Sequence, residues 1–148
     1  MIKANVILDN FIWKRKLNNP NNYIKKRLSQ LSKIYPFKNK IQKFNILLTN
    51  NKKMRVLNYK FRKKNKTTDV LSFPFDEKIR KNSFLGDVAI SYEFVKKRSH
   101  NSNFVKELDK LWLHGLLHLL GYNHKKFKDF SKMQNKEKKI LKHFETRN

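Results

Sequence analysis

Three of the five histidines in this 148-residue chain stand within one segment of eleven residues. The segment 114–124 reads HGLLHLLGYNH, so His114 and His118 are four residues apart and His124 follows a glycine at position 121. On an α-helix, residues i and i+4 share one face and lie about 5–6 Å apart. Glycine readily takes the left-handed conformation that ends many helices. The segment therefore predicts a helix with two imidazoles on one face and a turn at Gly121 that brings His124 back toward them.

This arrangement of imidazoles indicates a metal site. Three histidines with a fourth position open to water are typical of a catalytic zinc, whereas a structural zinc normally has four protein ligands. A lone histidine on an apolar helix is more often a hydrogen-bonded core residue, but a leucine-rich helix has little other use for three. We predict that His114, His118 and His124 hold one Zn²⁺. His100 and His143 have no such neighbours in the sequence and are interpreted as surface or interhelical residues.

The spacing matches the extended zinc-peptidase pattern H-E-x-x-H-x-x-G-x-x-H at every named position except the glutamate, which is Gly115 here. In a zinc peptidase this glutamate is the general base. Glycine accepts no proton, so the sequence favours a different reaction on a similar metal geometry.

The charge of the chain indicates a polyanionic partner. Lysine and arginine number 36 against 11 acidic residues, which gives a formal charge of +25. Such a surface attracts nucleic acids at long range, although biased coding explains part of the lysine excess. No segment has the roughly 18 apolar residues of a membrane span, and residues 1–10 break their apolar run too early for a signal peptide. We expect a cytoplasmic protein with no membrane partner, and the absence of cysteine leaves the redox compartment open.

The hydrophobic pattern predicts an α+β fold in one domain, residues 1–148. Strands are expected at 2–8, 42–49, 69–75 and 85–91, and helices at 20–34, 52–62, 103–120 and 127–144. Together they predict a small mixed four-stranded sheet covered chiefly on one face by four to five helices, with a zincin-like metal site on a central helix and its exit turn.

Several details of these elements can be tested against a structure. Pro36 is expected to end the first helix and Pro74 to make the end of the third strand an edge or an exit. The fourth strand alternates well enough to be half buried. The last helix is expected to place one set of residues inside: Phe127, Phe130, Met133, Ile140, Leu141 and Phe144.

Three blocks of sequence resemble one known family, the YbeY-type endoribonucleases, also called ribosomal RNA maturation factors. The histidine segment is similar to the family's H-G-x-L-H-L-x-G-Y-D-H, in which the glycine after the first histidine is part of the pattern. Residues 57–62, LNYKFR, and 68–74, TDVLSFP, resemble its L-N-x-x-Y/F-R and T-D-V-L-S-F-P blocks. Residues 85–91, LGDVAIS, resemble its L-G-D-I-x-I-S strand. The blocks span about residues 57–124 in order.

The resemblance implies a single-domain zinc hydrolase that acts on single-stranded ribosomal RNA. It implies a role in forming the 3′ end of small-subunit ribosomal RNA and in late ribosome quality control, with the ribosome or its small subunit and their proteins as partners. His114, His118 and His124 correspond to its metal ligands, and Arg62 to an arginine that the family uses at its site. Taken alone, Arg62 is as well explained as a solvated member of the basic run 62–64.

The chain departs from the family pattern at two positions. Asn123 stands where aspartate is usual, and Thr67 where proline commonly precedes the TDVLSFP block. Asparagine carries no charge, but its carbonyl oxygen can still accept an imidazole N–H. Asp69 and Asp87 are candidates to orient Arg62 or a lysine, yet aspartates at strand ends are more often caps, and neither is assigned a role.

Residues of the third strand offer a place for RNA bases. Ser72, Phe73 and Phe75 could line a groove in which bases stack, although packing of one face of the strand accounts for most of them equally well. Three functions remain in falling order: a zinc-dependent endoribonuclease, a ribosome-assembly binding factor with a mainly structural metal, and a zincin-type peptidase.

Overall fold

The computed structural model describes residues 1–35, 41–76 and 84–146. Four strands form one mixed sheet in the order β1-β2-β4-β3, in which β1 and β2 and likewise β2 and β4 are parallel, and β3 is antiparallel to β4. The strands are β1 (Ile2–Leu8), β2 (Gln42–Thr49), β3 (Val70–Pro74) and β4 (Phe84–Ser91). The helices are α1 (Pro20–Ile34), α2 (Asn51–Arg62), α3 (Tyr92–Arg98), α4 (Phe104–Leu119) and α5 (Phe127–Thr146), with 3-10 turns at Phe11–Arg15 and Ser99–Asn101.

The helices divide unequally between the two faces of the sheet. One face packs against α1 and α4, with α5 behind them, in a core that includes Phe44, Ile46 and Trp112. On the other face α2 covers only the β4-β3 end, where Met54, Leu71 and Ala89 form a small second cluster. The predicted α+β class and sheet are therefore confirmed, and the main coverage is on one face as expected. Pro74 lies at the end of the edge strand β3, as its missing N–H requires.

A buried polar network joins α1 to α4. The Tyr23 hydroxyl donates to Asp109 Oδ2 at 2.7 Å, and Arg27 Nε lies 3.3 Å from the same oxygen. Trp112 Nε1 donates to Asp109 Oδ1 at 2.8 Å. Arg27 also donates to the Phe144 carbonyl of α5 at 3.2 Å. Burial raises the pKa of the Asp109 carboxyl, although the hydrogen bond from Trp112 opposes this. The network sets the positions of all three helices that cover the main face.

The structure differs from the sequence-based expectations in three details, and two further expectations are not tested by the described residues. Helix α3 was not predicted, because it is only seven residues long and follows β4 with no intervening loop. Strand β4 is buried at nearly every position, not half buried, because it is central and has helices on both faces. Phe127 is 86% exposed and Phe130 is also exposed, so the inward face of α5 begins only at Met133. Pro36 lies outside the described residues, and the extent of the domain over residues 1–148 stays a prediction.

None of the described helices is both long enough and apolar enough to cross a membrane.

Candidate active site

Helix α4 ends in the turn that the sequence predicts. Gly121 has φ +100°, its N–H donates to the His118 carbonyl at 3.0 Å, and the Tyr122 N–H donates to the Leu117 carbonyl at 3.0 Å. This pair of bonds is the Schellman motif, in which a left-handed residue reverses the chain. A Cβ at Gly121 would meet no atom within 4 Å. Glycine is therefore needed at this position for its backbone conformation and not for close packing.

The turn brings three imidazoles together. The ring centroids of His114 and His118 are 4.6 Å apart, and those of His118 and His124 are 5.0 Å apart. One nitrogen of each ring lies within 4.8 Å of the other two. His114 and His118 are half-buried and His124 is exposed. The three rings form a cluster that could hold a metal ion at the protein surface.

Hydrogen bonds fix which ring nitrogens face the centre of this cluster. His114 Nδ1 lies 2.6 Å from Glu137 Oε1, and His118 Nδ1 lies 3.0 Å from the Tyr122 carbonyl oxygen. Both oxygens are acceptors, so each Nδ1 carries the proton and, in the neutral rings, each Nε2 presents a lone pair. The two Nε2 atoms are 3.1 Å apart. Two nitrogens bound at about 2.0–2.1 Å to one tetrahedral zinc would lie roughly 3.3 Å apart. The residues therefore fit a cation between them.

The surroundings of His118 favour the neutral ring that a metal requires. Burial lowers the pKa of His118, and the neighbouring His114 lowers it further. A neutral imidazole keeps the lone pair on Nε2 available at a lower pH than an exposed histidine would.

Glu137 is the site residue that sequence reasoning missed. It comes from α5, thirteen residues after His124, and its side chain is 22% exposed. A carboxylate on the outer nitrogen of a ligating histidine fixes the ring and raises its basicity. One signal was present, since Glu137 lies four residues after Met133 and three before Ile140, on the inward stripe of a lysine-rich helix. A carboxylate on the inward face of a helix loses contact with water and therefore needs a hydrogen-bond donor or a cation as its partner.

Gly115 has a packing explanation that also bears on the reaction. A Cβ at this position would lie 2.6 Å from Val88 Cγ1 and 3.1 Å from the Ser72 hydroxyl. The Ser72 hydroxyl donates to the Gly115 carbonyl at 3.1 Å. Helix α4 therefore touches the sheet at the position where a zinc peptidase has its glutamate. A glutamate would not fit here without moving the helix away from β4.

The three histidines lie in the wall of an open cleft of about 960 Å³. Five basic side chains also line the cleft, against two carboxylates, Asp69 and Glu137. The basic residues are Arg62, Arg98, Lys110, Lys125 and Lys138. Both carboxylates have partners, since Glu137 binds His114 and Asp69 binds Arg98 at 2.6 Å. The cleft is therefore electropositive around the imidazole cluster and suits an anionic substrate.

Arg62 reaches this cleft from the last turn of α2. One terminal nitrogen donates to the Ser72 carbonyl at 2.8 Å, and the guanidinium carbon lies 5.9 Å from the centre of the Phe73 ring. Lys63 follows with φ +58° as the left-handed cap of the helix. Among the described residues no carboxylate forms an ion pair with Arg62. The side chain is held in the lining of the cleft by Ser72, and within the described part of the chain its charge is not neutralised by an acid.

The aspartates and the two departures from the family pattern take other roles. Asp69 pairs with Arg98 and not with Arg62, while Asp87 accepts from Asn45 Nδ2 at 2.9 Å on the open face of the sheet. Asn123 Oδ1 accepts from the Lys125 N–H at 3.3 Å. It is bonded to none of the three imidazoles, and Glu137 and the Tyr122 carbonyl orient the rings instead.

Thr67, which stands where the family commonly has proline, is held in place by a hydrogen bond. The Thr67 hydroxyl donates to the Asn51 carbonyl at 3.1 Å, at the start of α2. The neighbouring Asn58 is buried and donates from Nδ2 to the Lys66 carbonyl at 2.9 Å. These bonds hold the segment between α2 and β3 and thereby the position of Arg62.

The remaining candidates divide between core and surface. Ser72 is buried, Phe73 packs partly against the second cluster, and Phe75 is exposed. His100 and His143 lie outside the imidazole cluster and do not line the cleft.

The fold and the site define a small α+β protein with a three-histidine cluster in a basic cleft. The sequence profile of the family described as Endoribonuclease YbeY matches residues 8–145, and the chain belongs to this family. It is 42% identical to the endoribonuclease YbeY of Pelagibacter ubique over 99% of both chains. It is 36% identical to that of Buchnera aphidicola, over 94% of this chain and 89% of the relative.

A solved structure has the same fold. The solution structure of TM1509 from Thermotoga maritima superposes with a TM-score of 0.64, at 26% identity, over 97% of this chain and 88% of that one.

Proposed function

We propose that this chain is a metal-dependent endoribonuclease that cleaves single-stranded ribosomal RNA. The observation that carries the proposal is the cleft, which is lined by three converging imidazoles and by Arg62, an arginine that pairs with no carboxylate of the described residues. Membership of the Endoribonuclease YbeY family supports the reaction class. Formation of the 3′ end of small-subunit ribosomal RNA and late ribosome quality control are the proposed roles, in the cytoplasm and with the ribosome or its small subunit and their proteins as partners.

The proposed metal is one Zn²⁺, held by His114, His118 and His124. When bound, zinc can lower the pKa of water and polarise a phosphoryl oxygen. Glu137 holds His114 in the tautomer that points Nε2 inward, and the Tyr122 carbonyl does the same for His118. Because the three histidines line the open cleft, a metal held by them would be accessible to a substrate, as a catalytic site requires.

Arg62 is the proposed catalytic residue. Its donors that are not bonded to Ser72 can bind a phosphate through charged hydrogen bonds. A cation at this position stabilises the charge that develops on phosphate oxygens as the RNA bond is attacked. Arg98 and Lys110 on the same wall help to keep the RNA backbone in the cleft.

The alternatives are less well supported. A ribosome-binding factor with a structural metal does not need its ligands in the wall of an open cleft. A zincin-type peptidase needs a carboxylate at position 115, where the close approach of α4 to Val88 leaves no room for one.

Metal analysis and one cleavage experiment test the proposal. The purified chain should contain close to one zinc per molecule and should cut single-stranded ribosomal RNA but leave a peptide library intact. His118→Ala should abolish both metal binding and RNA cleavage, whereas His143→Ala, on α5 outside the cluster, should affect neither. RNA binding without cleavage by the zinc-loaded chain would favour the binding factor, and cleavage of peptides would favour the peptidase.

A further inference from the structure

Two phenylalanines meet where α2 passes over the edge of the sheet. Phe61 continues the helix face that Met54 and Leu57 present to the sheet, at the helical spacing of three and four residues. Met54 is fully buried, but Phe61 is 57% exposed. Phe61 lies in the last turn of α2 beside β3, which is the edge strand of the sheet. Phe61 therefore shows an aromatic face to solvent on a side of the helix that is otherwise buried.

Phe73 on β3 completes this aromatic pair. The two ring centroids are 5.1 Å apart with an angle of 55° between the ring planes. Phe73 packs against the second cluster, and its side chain is only partly buried. The rings are thus fixed by the helix and the strand that carry them, and ordering them on binding costs little conformational entropy.

Cations surround the pair. Lys60 Nζ lies 5.3 Å from the centre of the Phe61 ring, and the Arg62 guanidinium lies 5.9 Å from that of Phe73. The following residues, Lys63 and Lys64, are also basic and exposed. Segment 59–66 reads YKFRKKNK and contains no acidic residue. An aromatic surface inside a basic segment suits a partner that is both aromatic and anionic, which describes a nucleotide.

Arg62 connects this surface to the cleft. Its side chain touches the Phe73 ring and also lines the cleft with the three histidines. A nucleotide whose phosphate binds Arg62 therefore has its own base, or the next one, beside the two phenylalanines. The aromatic pair lies on the α2 face of the sheet and does not itself line the cleft, so Arg62, beside the edge strand, is its link to the proposed active site.

We propose that Phe61 and Phe73 form a stacking site for one unpaired RNA base next to the phosphate that Arg62 binds. The inference deepens the proposed function and rests on it. Bases in a duplex have both faces covered by their neighbours, so the site accepts only unpaired nucleotides. Stacking on aromatic side chains tolerates any base. The site selects single-stranded RNA without selecting its sequence.

Binding measurements on the full chain test this site. A short single-stranded RNA is titrated in the presence of a chelator, so that affinity is read without cleavage, and a single abasic position is moved along the RNA. An abasic site at one particular position of the RNA should weaken binding by about 5- to 150-fold, which is the range expected for loss of one stacked base. Phe61→Leu keeps an apolar side chain but removes the aromatic face, and it should weaken binding of the intact RNA by a similar factor.

The losses of affinity caused by the abasic position and by Phe61→Leu should not be additive. In Phe61→Leu, the abasic change at the sensitive position should cost little more, because the stacking partner is already gone. Phe61→Trp keeps an aromatic ring at this position and should bind the intact RNA as tightly as the unaltered chain does. Phe127→Leu, which alters a phenylalanine that is 86% exposed on α5, is the matched control and should leave affinity unchanged. Duplex RNA should bind Phe61→Leu and the unaltered chain equally.

Several results would overturn the stacking site. They are an equal loss of affinity for duplex RNA, an abasic series with no sensitive position, or an effect of Phe127→Leu as large as that of Phe61→Leu. A change in sedimentation of Phe61→Leu with unchanged RNA affinity would assign the surface to self-association instead. Cleavage is measured separately. If the unaltered chain shows the stacking pattern but never cuts RNA, only the proposed nuclease function fails. If it cuts RNA normally and Phe61→Leu binds normally, only the stacking site fails.

Discussion

At the scale of single residues, hydrogen-bond acceptors decide the state of the imidazoles. Glu137 and the Tyr122 carbonyl each accept a hydrogen bond from the outer nitrogen of a histidine, which leaves two inner nitrogens 3.1 Å apart with lone pairs facing each other. Only a shared proton or a cation relieves that repulsion. The carboxylate that orients His114 comes from α5 and not from position 123.

Metal occupancy should depend on pH in a defined direction. Metal competes with protons for the imidazoles, so occupancy should be close to one at pH 7.5 and fall below about pH 6. Burial lowers the pKa of His118, so the unfolded chain binds more protons at this ring than the folded chain. The stability of the metal-free fold should accordingly decrease as the pH falls below about 6.5. Metal analysis and urea titrations across this range check both effects, and occupancy that stays constant down to pH 5 would contradict the histidine site.

Arg62→Lys should separate catalysis from binding. Lysine keeps the charge but loses the planar pair of donors, so the cleavage rate should fall roughly 10- to 100-fold, the value of one charged hydrogen bond. RNA affinity should change little because its electrostatic part remains. Arg55→Lys on the same helix, outside the cleft, should leave both unchanged. Single-turnover cleavage and equilibrium binding give the two quantities, and normal cleavage by Arg62→Lys would remove Arg62 from the catalytic residues.

At the scale of secondary structure, the ends and faces of the helices build the site. Helix α4 lies close to β4 at Gly115, and the turn that follows the helix contains Gly121; glycine is required at the two positions for different reasons. Gly115 leaves no room for a Cβ, whereas Gly121 has the room but not the backbone conformation that other residues prefer.

Gly121→Ala should therefore act on the turn. A Cβ in the left-handed conformation costs roughly 1–2 kcal/mol, and any relaxation of φ displaces His124. We expect weaker metal binding with most of the fold intact. Metal titration and the melting temperature of the metal-free chain distinguish this from a loss of packing. Unchanged metal affinity with a lowered melting temperature would show that the turn does not position His124.

The network between α1 and α4 should be sensitive to loss of its acid. Asp109→Asn removes the carboxylate that pairs with the buried Arg27 guanidinium, and breaking a buried ion pair from one side typically costs about 3–5 kcal/mol. Replacing both partners, Arg27→Met with Asp109→Leu, should recover much of that loss because no charge remains buried. Asp87→Asn, at an exposed carboxylate, should change stability by less than about 0.5 kcal/mol. Urea denaturation measures all three, and a small effect of Asp109→Asn alone would show that the network tolerates an uncompensated charge.

At the scale of the whole molecule, the charge of +25 is distributed over many surfaces, and only part of it faces the cleft. This distinction can be measured in the salt dependence of RNA binding. Each phosphate contact on a single strand contributes about 0.7 to the slope of log affinity against log salt. Lys138→Gln, in the cleft, should reduce the slope by about that amount. Lys128→Gln, on the same helix but outside the cleft, should not. Equal slopes for the two variants would mean that RNA does not follow the cleft.

The sequence by itself determined the elements and the local chemistry of this protein. The alternation and helical spacing of apolar residues predicted four strands and four of the five helices, because these periods follow from backbone geometry. The positions of His114, His118 and Gly121 predicted a helix with an exit turn, because four residues make about one helical turn and glycine readily takes a positive φ. The departures at Asn123 and Thr67 were visible in the sequence, but their consequences were not.

Only the tertiary structure decided what faces the site from distant parts of the chain. The packing of α5 brings Glu137 to His114, and the packing of α2 brings Arg62 into the cleft that the histidines line, and no local pattern records that packing. Phe61 and Phe127 both follow the apolar spacing of their helices, yet both are exposed: Phe61 lies in the last turn of α2 beside the edge strand, and the inward face of α5 begins only at Met133. Periodicity indicates which face of an element is apolar, but burial also requires another element to cover that face.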